Sequence, residues 1–457
     1  MKNVALAYQK AFAAVLLVAW LSLARQVPWL IGERGLLPAR TLFERLAQGE
    51  VSFWQAPSLF WLTTSDTALH AGTWLGAALA LLALAGKAPR ACFALSAPLY
   101  LSYATACDDF TAFQWDNMLV EVAVLSALLP TDKPAPLVRG AFWLLIFKLY
   151  FESGVAKWQS HLHDWQDGSA MTFYYETAPL PAPLAWYAHH LPASWHHLES
   201  WGALVLELIV PFLIFCGRRG RLVACASFTA FQIINTLTAN YGFFTYLSLV
   251  LHILLLDDRD LARAGESVAT RARALLATRI VLGAWLIASL AGGIVRFTRS
   301  EAIDRALAPI VQAVGPFRVA NVYHLFGHIT RERIEPQVEV LDENGHWSEV
   351  DLRYKPGDVM RSPSLIAPHQ PRVDFSLWFY GLGFRRGMPE YVHNLLDRVC
   401  HDRQAVQPLF DGLLPKTVVA VRVAFYSYRF STPAQREQSG AIWMREPLGA
   451  LPERSCS

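Results

Sequence analysis

Long apolar runs separated by short polar segments fill the first 297 residues of the chain. A membrane-spanning helix needs about 20 mostly apolar residues, because the hydrocarbon core is about 30 Å thick and a helix rises 1.5 Å per residue. The pattern therefore predicts a polytopic α-helical membrane bundle of about eight or nine spans. The predicted spans are residues 8–24, 69–86, 91–107, 113–130, 138–157, 199–216, 221–239, 242–256 and 279–296.

The pattern changes after Phe297, where polar residues become frequent. Residues 337–354 alternate as two strands around an Asn-Gly turn, and residues 417–430 form a long alternating run. Residues 388–403 have a helical pattern. We therefore expect a β-rich soluble domain on the outer side of the membrane. The predicted division is a transmembrane bundle at 1–297 with outer loops 25–68 and 158–198, a polar linker or short helix at 298–317, and the β-rich domain at 318–457.

Composition supports a membrane protein. Charged residues make up 17% of the 457 residues, whereas soluble proteins carry about 25%. A net charge of +3 is too small to indicate nucleic-acid binding. The six cysteines show neither a CxxC pair nor a zinc pattern. No metal and no cofactor are predicted. Cys400 and Cys456 could pair in an oxidising compartment, whereas Cys216 and Cys225 are expected to be free.

The distribution of basic residues predicts the orientation of the bundle. Cytoplasmic segments carry an excess of Lys and Arg, and placing the N-terminus inside satisfies this rule at every inner loop. The C-terminal domain then faces the periplasm in a bacterium or the lumen in a eukaryote. The alanine-rich chain favours a bacterial inner membrane. The inner segments carry Lys2, Lys10, Lys87, Arg90, Lys133, Arg139, Arg218, Arg219, Arg221, Arg259, Arg263, Arg271, Arg273 and Arg279, against Arg25, Arg34, Arg40 and Arg45 in the outer ones.

Several polar and charged residues lie inside the predicted spans, where each charge costs about 2.5–3.5 kcal/mol on insertion scales. Spans four and five are antiparallel neighbours, which predicts that Glu121 lies level with Lys148 and Asp116 with Lys157. One interpretation is a ladder of buried ion pairs that fixes helix packing. The other is a site at the outer face with Lys157 as a base. The predicted intramembrane polar network comprises Asp116, Asn117, Glu121, Lys148, Glu152 and Glu207.

The outer loop 158–198 is rich in aromatic residues, prolines and histidines. A metal site is conceivable for its six histidines, but no carboxylate or cysteine completes a ligand spacing. Packing in an interfacial aromatic belt is the preferred interpretation. No nucleophile-elbow, phosphate-loop or dinucleotide-binding pattern occurs in the chain.

The chain resembles the lipase maturation factor family over nearly its whole length. In animals the family implies a polytopic membrane protein of the endoplasmic reticulum that helps dimeric secreted lipases to fold and assemble. A bacterial client need not be a lipase. The stretches that carry the resemblance are GLLP, PSLFWLTTSDTALH, FQWDNMLVE, YYETAPLPAPLAWYAHHLP, NYGFFTYLSLVL, LDD, FRVANVYHLF, LRYKPGDV, APHQPRVDFSLWF and YRF.

A second resemblance is local. YFESGVAKW, followed by DW and Gly168, is similar to a stretch of the vitamin K-dependent carboxylases, which are also membrane bundles with a β-rich outer domain. In that comparison the catalytic base lysine of the carboxylases aligns with Lys157. The preceding position, a second lysine in those enzymes, is Ala156 here, which argues against quinol-driven carboxylation.

Two functions follow as expectations. The favoured one is a non-enzymatic maturation factor whose partners are membrane lipid and exported client proteins, with lipases as the clients that the resemblance implies. The alternative is a membrane enzyme with Lys157 as base, acting on a lipid, a quinone or an exported protein. A transporter ranks last, because no inverted repeat is visible. In a purely structural interpretation, Arg372 would pair with Asp358 or Asp374. The client-contact candidates are Tyr175, Glu176, His189, His190, Tyr354, Asp358, His369, Arg372, Asp374 and Trp378.

Overall fold

A computed structural model describes residues 2–131, 135–261 and 276–456. Each of the nine apolar runs coincides with a helix, and shorter helices lie between them. The helices of this half are α1 (Lys2–Ile31), α2 (Ala39–Gln48), α3 (Asp66–Leu84), α4 (Pro89–Ala106), α5 (Gln114–Leu128), α6 (Pro136–Trp158), α7 (Ala170–Thr177), α8 (Ala185–His189), α9 (Ala193–Leu208), α10 (Gly217–Thr238), α11 (Phe244–His252), α12 (Leu276–Thr298) and α13 (Glu301–Val314).

Four segments of the described chain are long and apolar enough to cross a membrane. They are α1, α3, α12 and the segment Ala193–Phe215, in which a 3₁₀ turn continues α9. Among the other predicted spans, α5 has 15 residues and α11 has 9, both shorter than the roughly 20 residues of a simple span. The helical nature of all nine segments is thus confirmed.

Two arginines at one end of the bundle bind a single carboxylate. Arg139 on α6 and Arg221 on α10 donate to opposite oxygens of Asp257, at 2.9 and 3.0 Å. Their guanidinium groups lie 4.8 and 4.7 Å from the ring centre of Trp143. This contact joins α6 and α10 to the turn after α11. Of the other residues used to predict orientation, Lys133, Arg263, Arg271 and Arg273 lie outside the described residues.

The chain returns to the bundle after α13. Residues 318–326 have no regular secondary structure and pack against α5 and α6, where Tyr323 is fully buried. Irregular backbone at such a position needs hydrogen-bond partners within the protein. The partners are polar side chains of α5 and α6, described below. Residues 298–317 were predicted to form either a polar linker or a short helix. The structure has a helix there, α13.

A small antiparallel sheet forms the centre of the C-terminal region, with strand order β2-β1-β3-β4 and β5 paired to β3. The predicted hairpin is confirmed: β1 and β2 pair antiparallel around a turn in which Gly345 has φ +79°. The predicted long strand is confirmed as β3. The strands are β1 (Arg333–Leu341), β2 (Trp347–Val350), β3 (Ala420–Phe430), β4 (Trp443–Ala450) and β5 (Arg454–Ser455).

Helices cover this sheet and attach it to the bundle. The helix predicted at 388–403 is confirmed as α15, whose last residues include Cys400, and Cys400 forms a disulfide with Cys456 beside β5. Cys216 and Cys225 are free, as expected. The helices of this region are α14 (Arg372–Leu382), α15 (Glu390–His401), α16 (Arg403–Val406) and α17 (Pro433–Ser439).

Candidate functional site

Glu121 in the middle of α5 is a fully buried carboxylate that receives several hydrogen bonds. Trp285 on α12 donates to its Oε1 at 2.8 Å. The side-chain amide of Asn321 and the hydroxyl of Tyr323 donate to its Oε2, at 2.8 and 2.7 Å. A buried carboxylate is stable only when its oxygens are bonded in this way. Glu121 therefore joins α5, α12 and the returning segment 318–326.

Lys148 and Glu152 on α6 bind the backbone of the same segment. Lys148 Nζ donates to the carbonyl of Asn321 at 2.7 Å, and Glu152 Oε2 accepts from the backbone N–H of Tyr323 at 2.8 Å. Glu121 and Lys148 were predicted to lie level, and both bind Asn321, which stands between them. The sequence-based prediction missed this bridging segment. The signal for it in the sequence was Asn321 and Tyr323, which lie in the FRVANVYHLF stretch that resembles the family.

Lys157 at the end of α6 forms a buried ion pair with Glu207 of α9. Its Nζ lies 2.9 and 2.7 Å from the two carboxylate oxygens and also donates to the carbonyl of Leu325 at 2.9 Å. Gly154 allows the helices to approach, since a Cβ there would lie 2.9 Å from Glu207 Cβ. The predicted pairing of Asp116 with Lys157 is therefore wrong, because the carboxylate that binds Lys157 is Glu207 of α9.

Asp116 is bound instead by Arg372, the first residue of α14. The two guanidinium nitrogens lie 2.7 and 3.0 Å from the two carboxylate oxygens, and Tyr100 donates to the same carboxylate at 2.6 Å. Both charged residues are almost completely buried, at 1% and 0% exposure. The prediction that Arg372 pairs with Asp358 or Asp374 is thus wrong. A bidentate Arg–carboxylate pair fixes distance and orientation together.

The residues before α14 are held against the bundle by amide and hydroxyl side chains. Gln26 on α1 accepts from the backbone N–H of Arg372 and donates to the carbonyl of Gln370. Asn240 accepts from the backbone N–H groups of Ile366 and Ala367, at 2.8 and 3.0 Å. These bonds are numerous and mostly buried. The C-terminal region is therefore attached to the helices by specific polar contacts.

The predicted client-contact residues occupy different environments. Asp358 is exposed, Tyr175 is buried, and the carboxylate of Asp374 accepts from the backbone N–H groups of Tyr354 and Lys355. Trp378 donates to the carbonyl of Thr177 at 2.9 Å. These contacts give several of the candidates a role within the fold. The half-buried candidates are Glu176, His189, His190, Tyr354, His369 and Trp378.

Burial shifts the pKa of several of these groups, among them His369, His189 and Asp374. It lowers the pKa of His369 to about 4, helped by the nearby charges of Arg25 and Arg372. It likewise lowers the pKa of His189 to about 4, so the approach of this ring to Glu176 at 3.6 Å is not an ion pair at neutral pH. Burial also raises the pKa of Asp374 to about 6, against the backbone N–H groups that favour its charged form.

A cavity of about 560 Å³ lies where α5, α6, α12, α14 and the returning segment meet. We call it the aromatic cavity, because nine aromatic side chains line it. Within the described chain no Asp or Glu lines it, whereas two arginines and three histidines do. Its aromatic residues are Phe113, Trp115, Tyr174, Tyr241, Phe297, Phe326, Phe375, Trp378 and Phe379, and its basic residues are His161, Arg296, Arg299, His324 and His328.

A smaller cavity of about 170 Å³ lies on the other side of Phe326 and is lined by Lys157, Trp165 and Glu199 among others. Lys157 lines this smaller cavity, but its amine is bound in the ion pair with Glu207. No group of three or more His, Cys, Asp or Glu side chains in the described residues is arranged to hold a metal ion.

Comparisons with known proteins agree with this architecture. The lipase maturation factor transmembrane domain matches residues 4–263, and the lipase maturation factor C-terminal domain matches residues 319–452. Lipase maturation factor 2 of Homo sapiens is 30% identical, with 96% of this chain and 80% of that protein covered. Lipase maturation factor 1 of Bos taurus is 29% identical, with 96% and 86% covered. No solved structure matches.

The matches span both the helical half and the C-terminal region, and at 30% identity over 96% of the chain they are not confined to one motif. The transmembrane family domain, together with the four long apolar helices of the described residues, identifies an integral membrane protein. On this evidence the chain belongs to the lipase maturation factor family.

Proposed function

We propose that this protein is a membrane-embedded maturation factor that assists the folding or assembly of exported proteins. The observation that carries the proposal is the family relationship over 96% of the chain, which includes the C-terminal region as well as the bundle. The relatives are named for lipase maturation. Lipases, or exported proteins like them, are therefore the proposed clients. Assistance with folding requires no cofactor, and none is proposed.

The proposed topology is that of eight or nine spans with the C-terminal region outside. In a bacterium this means the inner membrane with the C-terminal domain in the periplasm, and in a eukaryote the endoplasmic reticulum membrane with the domain in the lumen. The proposed division is a bundle at 1–297, a connection at 298–317 and the outer domain at 318–457. A disulfide between Cys400 and Cys456 supports an oxidising compartment for that domain.

The contacts between the two regions suit a role in presenting a client-binding surface. The pair of Arg372 with Asp116 and the bonds of Asn240 to residues 364–367 are buried or partly buried and well aligned. A surface held in one orientation loses less entropy when it binds a partner. Asp358 is the one exposed residue among the ten proposed client contacts, so it is the first of them to test.

The alternative enzyme function has less support. A lysine base needs a free amine, but the amine of Lys157 is bound by both oxygens of Glu207 and by the carbonyl of Leu325. Its exposed fraction is 1%. This arrangement favours the interpretation of the intramembrane charges as partners that fix helix packing.

The test is to delete the gene in its host and to compare the exported proteins for abundance, activity and intact mass. Clients that lose activity at unchanged mass are the expected result. Complementation uses the wild type and the double variant Lys157→Met/Glu207→Leu, which removes the amine without leaving an unpaired buried charge. Restored activity with the double variant agrees with folding assistance. A change of client mass that only the wild type restores would establish covalent chemistry and contradict the proposal.

A further inference from the structure

The inner walls of the aromatic cavity are mainly apolar. Phe113 stacks on Trp115 with ring centroids 4.9 Å apart, and the edge of Phe375 packs on Phe113 at the same distance. Phe379 lies 5.6 Å from Phe113 on the outer side and is 47% exposed. Ligand pockets in proteins usually have volumes of 300–1,000 Å³ and mainly apolar or aromatic walls, so a cavity of about 560 Å³ has a suitable size and lining for a ligand.

The rim of the cavity carries unbalanced positive charge. Arg296 and Arg299 are exposed at its mouth, and neither guanidinium has a carboxylate within 4.0 Å among the residues that the structure describes. His324 and His328 lie beside them and line the same volume. Buried guanidinium groups of this protein behave differently, since Arg333 and Arg372 each bind a carboxylate. The rim therefore offers binding groups for an anion.

Polar atoms within the walls also lack partners. Trp115, at 4% exposure, has no hydrogen-bond partner for its Nε1 in the described part of the chain, and the same holds for Thr330 Oγ1 and His324 Nδ1. Buried polar groups are rarely left in this state, because an unbonded one costs about 1–3 kcal/mol. All three residues line the aromatic cavity. These atoms are covered by their neighbours, so they add polarity to the walls without being direct contacts for a ligand.

The cavity lies at the end of a candidate membrane span. Arg296 is in the last turn of α12, and Ala156 of the cavity lies near the end of α6. Apolar walls next to a cationic rim at a membrane boundary match a molecule with an acyl chain and an anionic head. We propose that the aromatic cavity binds an amphiphile of this class, with its carboxylate or phosphate at Arg296 and Arg299 and its chain against Phe113 and Trp378.

The source of such a molecule is either the anionic lipid of the membrane or a free fatty acid, and the experiment distinguishes them. The purified full-length protein is placed in nanodiscs of zwitterionic lipid, and binding is measured by native mass spectrometry and by the thermal unfolding midpoint. The probes are oleate, dioleoyl phosphatidylglycerol, oleyl alcohol and inorganic phosphate. Oleyl alcohol shares the chain of oleate without its charge, and phosphate has charge without a chain.

We expect oleate, phosphatidylglycerol or both to bind, and oleyl alcohol and phosphate to bind at least about tenfold more weakly. Binding of the fatty acid alone, or of the phospholipid alone, identifies the source. Equal binding of oleate and oleyl alcohol would overturn the assignment of the head group. Binding of phosphate as tightly as oleate would show a simple anion site, and absence of all binding would show that the cavity takes no amphiphile.

Variants locate the site. Arg296→Ala/Arg299→Ala changes two exposed side chains and is expected to weaken binding of the anionic probe about tenfold or more. Arg305→Ala, on the exposed face of α13, is the matched control and leaves binding unchanged. Ala112→Trp fills the cavity from an exposed position and is expected to reduce binding without lowering the unfolding midpoint. Unchanged binding in both cavity variants would place the ligand elsewhere and overturn the proposal.

Discussion

Arg372 and Asp116, 256 residues apart in the chain, form a bidentate ion pair between the first turn of α14 and the first turn of α5. The pair is almost completely buried, and Tyr100 and the carbonyl of Phe110 form further hydrogen bonds with it. It joins the C-terminal region to the helical bundle at one point. Because neither charge reaches water, each depends on the other.

The first prediction concerns this pair. Asp116→Asn leaves the Arg372 guanidinium buried without a counter-charge, so the variant should lose about 3–5 kcal/mol of stability. Thermal unfolding of the purified protein in nanodiscs measures the loss. The double variant Asp116→Leu/Arg372→Met should regain most of it, because no buried charge then remains. Arg40→Ala breaks an exposed pair with Glu44 and should leave the midpoint unchanged. Equal effects of Asp116→Asn and Arg40→Ala would contradict the role of burial.

The second prediction concerns the segment that returns to the bundle. Tyr323→Phe removes the hydroxyl that donates to Glu121 at 2.7 Å, which should cost about 1.5–3 kcal/mol, since hydrogen bonds to charged groups are the stronger ones. Residues 318–326 should also become more sensitive to protease. Tyr187→Phe is the control, because Tyr187 is 56% exposed. If Tyr323→Phe and Tyr187→Phe have the same protease sensitivity, the segment does not depend on the hydrogen bond between Tyr323 and Glu121.

The third prediction concerns the disulfide between Cys400 and Cys456. Their separation of 56 residues gives a loop whose closure stabilises the fold by about 4 kcal/mol in the chain-entropy model. Cys456→Ser should therefore lower the unfolding midpoint of the C-terminal region. In the wild type, alkylation of Cys400 should require prior reduction. Cys216→Ser, which removes a free thiol, is the control and should have little effect on stability. Alkylation of Cys400 without reductant would show that the bond does not form in the host.

The fourth prediction is a pH dependence. His369 has a pKa of about 4 in the folded protein, below its ordinary value of about 6.5. The unfolded chain then binds a proton that the folded chain does not, so stability falls as the pH falls from about 6.5 to about 4. His369→Gln should lose less of its unfolding midpoint than the wild type between pH 7 and pH 5. His346→Gln, at an exposed position, should behave as the wild type does. Parallel curves for His369→Gln and the wild type would exclude this contribution.

The fifth prediction concerns topology. The proposed orientation places the C-terminal region outside the cytoplasm, so a reporter enzyme that is active only after export should be active when fused after residue 456. The same reporter fused after residue 87, in a predicted inner loop, should be inactive. The reverse result would invert the proposed orientation and would also place the disulfide in a reducing compartment.

Local patterns in the sequence determine much of the secondary structure. The nine apolar runs predict nine of the helices, because a run of about 20 apolar residues is typical of a membrane-spanning helix. The short helices α2, α7 and α8 lie in the segments predicted as outer loops. Alternation and an Asn-Gly turn predict the β1–β2 hairpin, in which Gly345 takes a positive φ that other residues avoid. Family resemblance in the motifs also identifies the chain as a whole.

The sequence by itself also shows that the charges within the apolar helices need partners, because an unpaired charge away from water is too costly. It does not show which partners they have. The adjacency of α5 and α6 in the sequence predicted that Asp116 pairs with Lys157. In the tertiary structure Asp116 pairs with Arg372, and Lys157 pairs with Glu207. Segment 318–326 likewise meets Glu121 only when the chain has folded back. Such pairings depend on which distant segments fill the same buried space, and this is decided by packing in three dimensions.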